Sequence, residues 1–116
     1  MWMFTGRGFY SVVATDDGGD LMIRGRVRAD LEGLLPILEP FARGRKLIET
    51  PRADYRYRLV VDTDEWLRIA EVLAAEVDYP NFKAEVASSN PARAATYGRV
   101  WHIHHDELER EDRSGR

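Results

Sequence analysis

Two segments of this chain, Leu21–Arg28 and Tyr55–Asp62, alternate at every second position between an apolar set of residues and a set rich in arginine. Because successive side chains of a β-strand point to opposite faces, this period predicts two strands, each with one core-facing and one hydrated side. The positions expected to face the core are Leu21, Ile23 and Val27 in the first strand and Tyr55, Tyr57, Leu59 and Val61 in the second. We therefore expect a sheet with one protected face.

The segment that precedes each of these strands is predicted to be its partner strand. Phe9–Thr15 is aromatic and β-branched, and Asp16–Asp20 separates it from Leu21 with two glycines and three aspartates, which is typical of a β-hairpin. Lys46–Thr50 is interpreted as a strand before Tyr55–Asp62, with a turn at Pro51–Asp54 between them. The sequence thus predicts two pairs of strands.

Helical spacing follows each pair. After Ala29, leucines recur at helical intervals, and Pro36 is expected to kink or end that helix early. Asp62 offers an N-cap with Glu65 three residues on, which predicts a helix over about Asp64–Val77.

The C-terminal part is predicted to be helical. Prolines lie near the starts of two expected helices, Asn81–Ala87 and Ala92 to about Glu109. The strand and helix order predicts an α+β fold of ββαββα type, with an antiparallel sheet, helices packed on one face and a helical C-terminal part. We expect one domain over residues 1–109 and a polar, disordered tail over 110–116.

Composition narrows the class of protein. The 116 residues include no cysteine, and 20 acidic against 17 basic residues give a net charge of -3. This excludes a disulfide scaffold and argues against binding to long nucleic acid, which draws on many unopposed cations. No run approaches the roughly 18 apolar residues that a membrane helix needs, and Met1–Arg7 is too short for a signal-peptide core. We expect a cytoplasmic protein with no membrane partner.

The predicted hydrated face of the sheet carries a basic set within this acidic chain. Guanidinium groups on neighbouring strands could converge on one phosphate or carboxylate, and Tyr10, with the aromatic start of the chain, could stack on a base. Alternatively, these arginines are merely solvated and paired with acids, or they form a protein interface. The candidate ligand-binding residues are Arg24, Arg26, Arg28, Arg56, Arg58 and Tyr10.

A second cluster, on the last predicted helix, contains all the histidines: His102, His104 and His105. With Asp106 or Glu109 these could form part of a metal site, but the favoured interpretation is a solvated helix face with His104 in the apolar stripe, so no metal-binding residue is predicted. The chain lacks a cysteine nucleophile and the common hydrolase, zinc-protease and phosphate-loop motifs. The sequence favours a protein without enzymatic activity and without a cofactor.

A set of motifs resembles a family of small uncharacterised bacterial and phage proteins with no established activity. The residues that carry this resemblance are Trp2–Thr5, Gly8–Val13, Asp54–Arg58, Asp78–Lys83 and Tyr97–Trp101. The resemblance implies a compact intracellular protein, in that setting a sponge or inhibitor encoded by a phage or other mobile element.

Our leading hypothesis is a binder of an anionic small molecule such as a nucleotide, through the arginine face. The first alternative is a protein-interaction module or inhibitor that uses the same surface, with a homo-oligomer left open. The second alternative is a small hydrolase that uses the histidine cluster.

Overall fold

The computed structural model describes residues 1–40 and 44–115, which form two compact units, Met1–Asp78 and Tyr79–Arg116. The strands of the first unit are β1 (Trp2–Phe4), β2 (Phe9–Ala14), β3 (Leu21–Gly25), β4 (Ile48–Glu49) and β5 (Tyr57–Val61). Its helices are α1 (Arg28–Glu32), α2 (Leu35–Leu38) and α3 (Thr63–Ala75). The second unit contains α4 (Phe82–Ser89) and α5 (Pro91–Arg113). The α4–α5 hairpin forms a compact unit of its own, and the single domain expected over residues 1–109 stays a prediction.

The strands form one antiparallel sheet in the order β1-β2-β3-β5-β4, which confirms the predicted α+β class. The two strands with the alternating pattern are direct neighbours, because β3 pairs with β5 along its whole length. β1 was not predicted, since three residues are too few to show a period. β3 ends at Gly25, three residues earlier than expected.

One face of this sheet forms the core, as predicted for Leu21, Ile23, Leu59 and Val61. Two other residues expected there do not join it: Val27 lies beyond β3 and is 43% exposed, and the Tyr55 ring lies against Arg24 and Arg26. Ile23, Leu59 and Val61 are completely buried, and Leu21 packs against them. The same cluster includes three leucines of α1, α2 and their connection, together with Ile69 of α3: Leu31, Leu34, Leu38 and Ile69. Helices α1–α3 therefore cover the face that carries these apolar positions.

At the end of β3, the backbone of Gly25 lies close against α1. A Cβ at Gly25 would lie 2.2 Å from Cδ2 of Leu31, which is itself completely buried in α1. Only glycine allows α1 to approach the end of the strand this closely. The chain turns from β3 into α1 at this point, so the alternation that the sequence suggested for Arg26 and Arg28 stops here.

Helix α3 begins with a complete capping box. The Asp62 carboxylate accepts a hydrogen bond from Glu65 N at 2.8 Å, and the Glu65 carboxylate accepts one from Asp62 N at 2.8 Å. Glu65 also receives two hydrogen bonds from Arg45, at 2.6 and 2.9 Å, while its side chain is only 3% exposed. The same carboxylate therefore starts the helix and anchors the segment that leads into β4.

A second ion pair joins the β1–β2 loop to the end of α3. Arg7 donates to both carboxylate oxygens of Glu76, and to Gly33 O at 2.7 Å. The hydrogen bond from Arg7 holds the pKa of Glu76 below its ordinary value of 4.5.

This pair predicts a pH dependence of stability. Because the folded pKa of Glu76 is lowered, the pair stabilises the fold above the ordinary carboxyl pKa, and this contribution is lost as the pH falls through the folded pKa. We expect wild type to melt at a higher temperature than Glu76→Gln at pH 7. The difference in melting temperature should shrink as the pH falls below the ordinary carboxyl pKa and through the lowered folded pKa. Thermal melts of both proteins from pH 7 to pH 3 would measure it; a difference that does not change with pH would contradict this role.

The second unit is a helical hairpin with a small aromatic core. Phe82 of α4 stacks on Tyr97 of α5 with ring centroids 5.7 Å apart, and Val86 and Tyr97 are buried. α5 continues to Arg113, so the first four residues of the predicted tail, Arg110–Arg113, are helical; Arg116 lies outside the described residues. Within the part of the chain that is described, no helix has both the length and the apolar character needed to cross a membrane.

Candidate anion-binding site

The face of the sheet opposite the core carries a row of side chains across all five strands. The register pairs Trp2 with Ser11, Ser11 with Arg24, Arg24 with Arg58, and Arg58 with Ile48. Residues directly opposite one another in a sheet point to the same face. We call these five residues the cross-strand row; it has two arginines near its centre and an apolar side chain at each end.

Arg24 is half-buried and only partly satisfied. Its Nη2 donates to Ser11 Oγ at 2.7 Å, and its guanidinium carbon lies 4.6 Å from the centre of the Tyr55 ring. Its Nε is buried and has no hydrogen-bond partner among the described residues. A guanidinium has five N–H donors, so Arg24 keeps donors available in a partly desolvated setting.

Arg58 lies directly opposite Arg24 on the neighbouring strand. Its Nε donates to Tyr55 O at 3.3 Å, and its Nη1 lies 3.7 Å from Met22 Sδ, a weak acceptor. Within residues 1–40 and 44–115, neither Arg24 nor Arg58 forms an ion pair with a carboxylate. Like charges directly opposite each other destabilise a sheet, so this pair is costly without a counter-charge.

The other three predicted arginines lie beyond the ends of the strands and are paired with acids, although Arg26 lies against the same Tyr55 ring as Arg24. Arg26 pairs with Asp54 at 3.3 Å. Arg28 and Arg56 share Glu49, at 2.8 and 3.4 Å. The hydrogen bond from Arg28 lowers the pKa of the Glu49 carboxyl and raises that of Arg28 itself. For these three the structure agrees with the alternative of exposed arginines paired with acids.

Tyr10 is not part of this surface. It is completely buried in the core, and its hydroxyl donates to Asp30 O at 2.8 Å. β2 places Tyr10 opposite Met3, on the face that the helices cover. The prediction of Tyr10 as a stacking residue was wrong because both sets of alternate residues in Phe9–Ala14 contain aromatic and β-branched side chains, so the pattern did not show which set faces the core.

Several aromatic residues share a face with the arginines, including Tyr55, Phe4 and Phe9, and the one that lies in the cross-strand row itself is Trp2. Its side chain is 68% exposed, and its direct partner in the register is Ser11, whose hydroxyl holds Arg24. Ile48, at the other end of the row, is 48% exposed. The signal in the sequence was the aromatic start of the chain, but only the pairing of β1 with β2 brings Trp2 toward the arginines.

The histidine cluster lies on an exposed part of α5. His105 contacts Glu109 at 2.9 Å and Asp106 at 3.3 Å, and Trp101 stacks on its ring. Among the described residues, no group of three or more histidine or carboxylate side chains is placed to hold a metal ion. The cluster is therefore explained by contacts within one helix.

A separate groove of about 480 Å³ lies beside α1 and α2. It contains Arg28, Arg45 and Lys46 together with the acids Glu32 and Glu39. Arg28 and Arg45 are bound to carboxylates already described. This groove has a mixed charge, and it lacks a pair of arginines free of carboxylates such as Arg24 and Arg58.

Comparisons with protein-family models, with curated proteins and with solved structures found no significant match to this chain. The resemblance to the bacterial and phage family stays a prediction. A functional assignment depends on the geometry of the cross-strand row.

Proposed function

We propose that this protein binds a small anionic molecule, carrying a phosphate or carboxylate group, between Arg24 and Arg58. The observation that carries the proposal is the direct cross-strand pairing of these two arginines without a carboxylate partner in the described chain. Two guanidinium groups side by side present planar donors that match a phosphate or carboxylate, and the anion relieves their mutual repulsion.

The surroundings of Arg24 support this proposal. Its buried Nε without a partner lies in a partly desolvated setting, where a charge-assisted hydrogen bond is stronger than in water. Ser11, only 1% exposed, holds the guanidinium through its hydroxyl, so the arginine is positioned before a ligand arrives. A protein that binds such a ligand without converting it sequesters it, which is the role expected of a sponge or inhibitor from a mobile element.

Substitution of the arginines tests the proposal. Charge-assisted hydrogen bonds contribute roughly 1.5 to 3 kcal/mol each, so we expect Arg58→Ala to weaken binding of ribose 5-phosphate by about tenfold or more. Arg24→Lys keeps the charge but loses the planar fork, so we expect it to weaken binding as well. Isothermal titration on wild type and both variants measures these effects.

The matched control is Arg68→Ala, which removes the same charge from α3, where Arg68 pairs with Glu71 at 3.4 Å. We expect its affinity to equal that of wild type. If wild type binds neither phosphate nor carboxylate probes, or if Arg58→Ala binds as tightly as wild type, the site is not an anion site.

A protein interface is the second candidate function, and the exposed ends of the row favour it. Trp2 and Ile48 flank the two arginines, and tryptophan and arginine are enriched in interface hot spots. If the row joins two copies of the chain, Ile48→Asp will dissociate the oligomer in analytical ultracentrifugation. A monomeric wild type would exclude self-association through this face.

A further inference from the structure

We infer that Trp2 is the stacking platform of the arginine site, and that the ligand is a phosphomonoester bearing an aromatic ring, as in a nucleoside monophosphate. This inference depends on the proposed function, because it assigns the phosphate to Arg24 and Arg58. It goes further by naming the class of ligand and the residue that selects it.

Charge favours a single terminal phosphate. A phosphomonoester carries about −1.5 to −2 charges at pH 7, which the two guanidiniums balance. A triphosphate or a polyanion would leave several negative charges unmatched, since the neighbouring Arg26, Arg28 and Arg56 are already paired with Asp54 and Glu49. The site therefore matches one phosphate group.

The separation of Trp2 and Arg24 in the sheet favours a ligand whose aromatic ring lies at Trp2. Trp2 and Arg24 are two strands apart in the register, which is about 10 Å at the usual separation of strands. A ribose between phosphate and base spans such a separation, with the phosphate at the arginines and the base over the indole. Ser11, between them in the row, is small and buried and accepts a hydrogen bond from Arg24 Nη2, so the sugar lies above this contact rather than in a cleft at Ser11.

The indole has the exposure that a platform needs. Its side chain is 68% exposed although β1 itself is anchored: the terminal ammonium of Met1 donates to Val12 O at 2.9 Å, and Val12 N donates to Met1 O at 2.8 Å. A large aromatic ring that remains exposed on an ordered strand, on the same face as two uncompensated cations, is arranged to receive a planar group.

The test compares three ligands that share parts: inorganic phosphate, ribose 5-phosphate and adenosine 5′-monophosphate. We expect wild type to bind the nucleotide at least fivefold more tightly than ribose 5-phosphate, since stacking of a base on an aromatic side chain contributes that much. Trp2→Ala should remove this preference and leave the affinity for ribose 5-phosphate unchanged. Trp101→Ala is the control, since it changes another exposed tryptophan outside the row. It should keep the preference for the nucleotide over ribose 5-phosphate.

Tryptophan fluorescence gives an independent readout. The chain has three tryptophans, so quenching by the nucleotide should be lost in Trp2→Phe and retained in Trp101→Phe. Circular dichroism and melting of each variant check that the fold is intact, and Trp2→Leu replaces Trp2→Ala if the latter does not fold.

The outcomes separate the two proposals. Equal binding of the nucleotide and ribose 5-phosphate, both lost in Arg58→Ala, would overturn the role of Trp2 and leave the anion site standing. If the preference for the nucleotide over ribose 5-phosphate survives in Trp2→Ala, the proposed role of Trp2 is overturned as well. If no phosphate ligand binds wild type, both proposals fail.

Discussion

Replacing Arg45 with alanine is expected to lower the free energy of unfolding by about 3 to 5 kcal/mol, because it leaves the buried carboxylate of Glu65 without its counter-charge. Glu65 is 3% exposed and receives both guanidinium hydrogen bonds of Arg45. Native stabilities are roughly 5 to 15 kcal/mol, so a loss of this size brings the fold close to unfolding. Urea denaturation of wild type and variant measures it.

The double variant Arg45→Ala with Glu65→Gln separates the unpaired charge from lost packing. Glutamine can still accept from Asp62 N at the helix start, and it leaves no buried charge, so in this background Arg45→Ala should cost only about 1 kcal/mol. Arg68→Ala, which breaks an exposed pair of α3, should cost no more than about 0.5 kcal/mol. If Arg45→Ala also lowers the free energy of unfolding by no more than about 0.5 kcal/mol, the Arg45–Glu65 pair does not anchor the segment before β4.

Leu59→Ala is expected to destabilise the fold by about 2 to 5 kcal/mol through the cavity it leaves in the core. Leu59 is completely buried in β5, opposite Ile23 of β3, and both belong to the cluster beneath the helices. The density of protein interiors prevents the neighbours from closing the gap. Chemical denaturation followed by circular dichroism gives the change in unfolding free energy.

Leu67→Ala is the matched control, since it removes the same atoms from a side chain that is 58% exposed on α3. We expect a change within about 0.5 kcal/mol. Similar losses in the two variants would mean that the sheet face carrying Leu59 is not the core.

The sheet and its core could be predicted because the sequence patterns that specify them lie within a few adjacent residues. Alternation in Leu21–Arg28 and Tyr55–Asp62 identified two strands, and the pairing of β3 with β5 confirms them. Their inward faces are confirmed at Leu21, Ile23, Leu59 and Val61 but not at Val27 and Tyr55. The N-cap at Asp62 predicted α3 to within two residues at each end. In both cases a few adjacent residues contain the physical cause, a strand period or a cap hydrogen bond.

The candidate site could be predicted only in part. Arg24 and Arg58 were placed on the correct face, because they lie inside strands whose alternation continues through them. Arg26, Arg28 and Arg56 were grouped with them because the sequence does not show where a strand stops. β3 ends at Gly25, where Leu31 of α1 packs closely against the strand, and that contact joins residues of two different elements.

The sequence by itself determined the class of fold, the two central strands with their buried sides, and the presence of an unusual number of arginines on the opposite side. The tertiary structure alone decided which arginines remain without a carboxylate, and that Trp2 rather than Tyr10 shares their face. The physical reason is that period and capping act within a few residues, whereas ion pairing and cross-strand alignment depend on residues that only the folded sheet brings together.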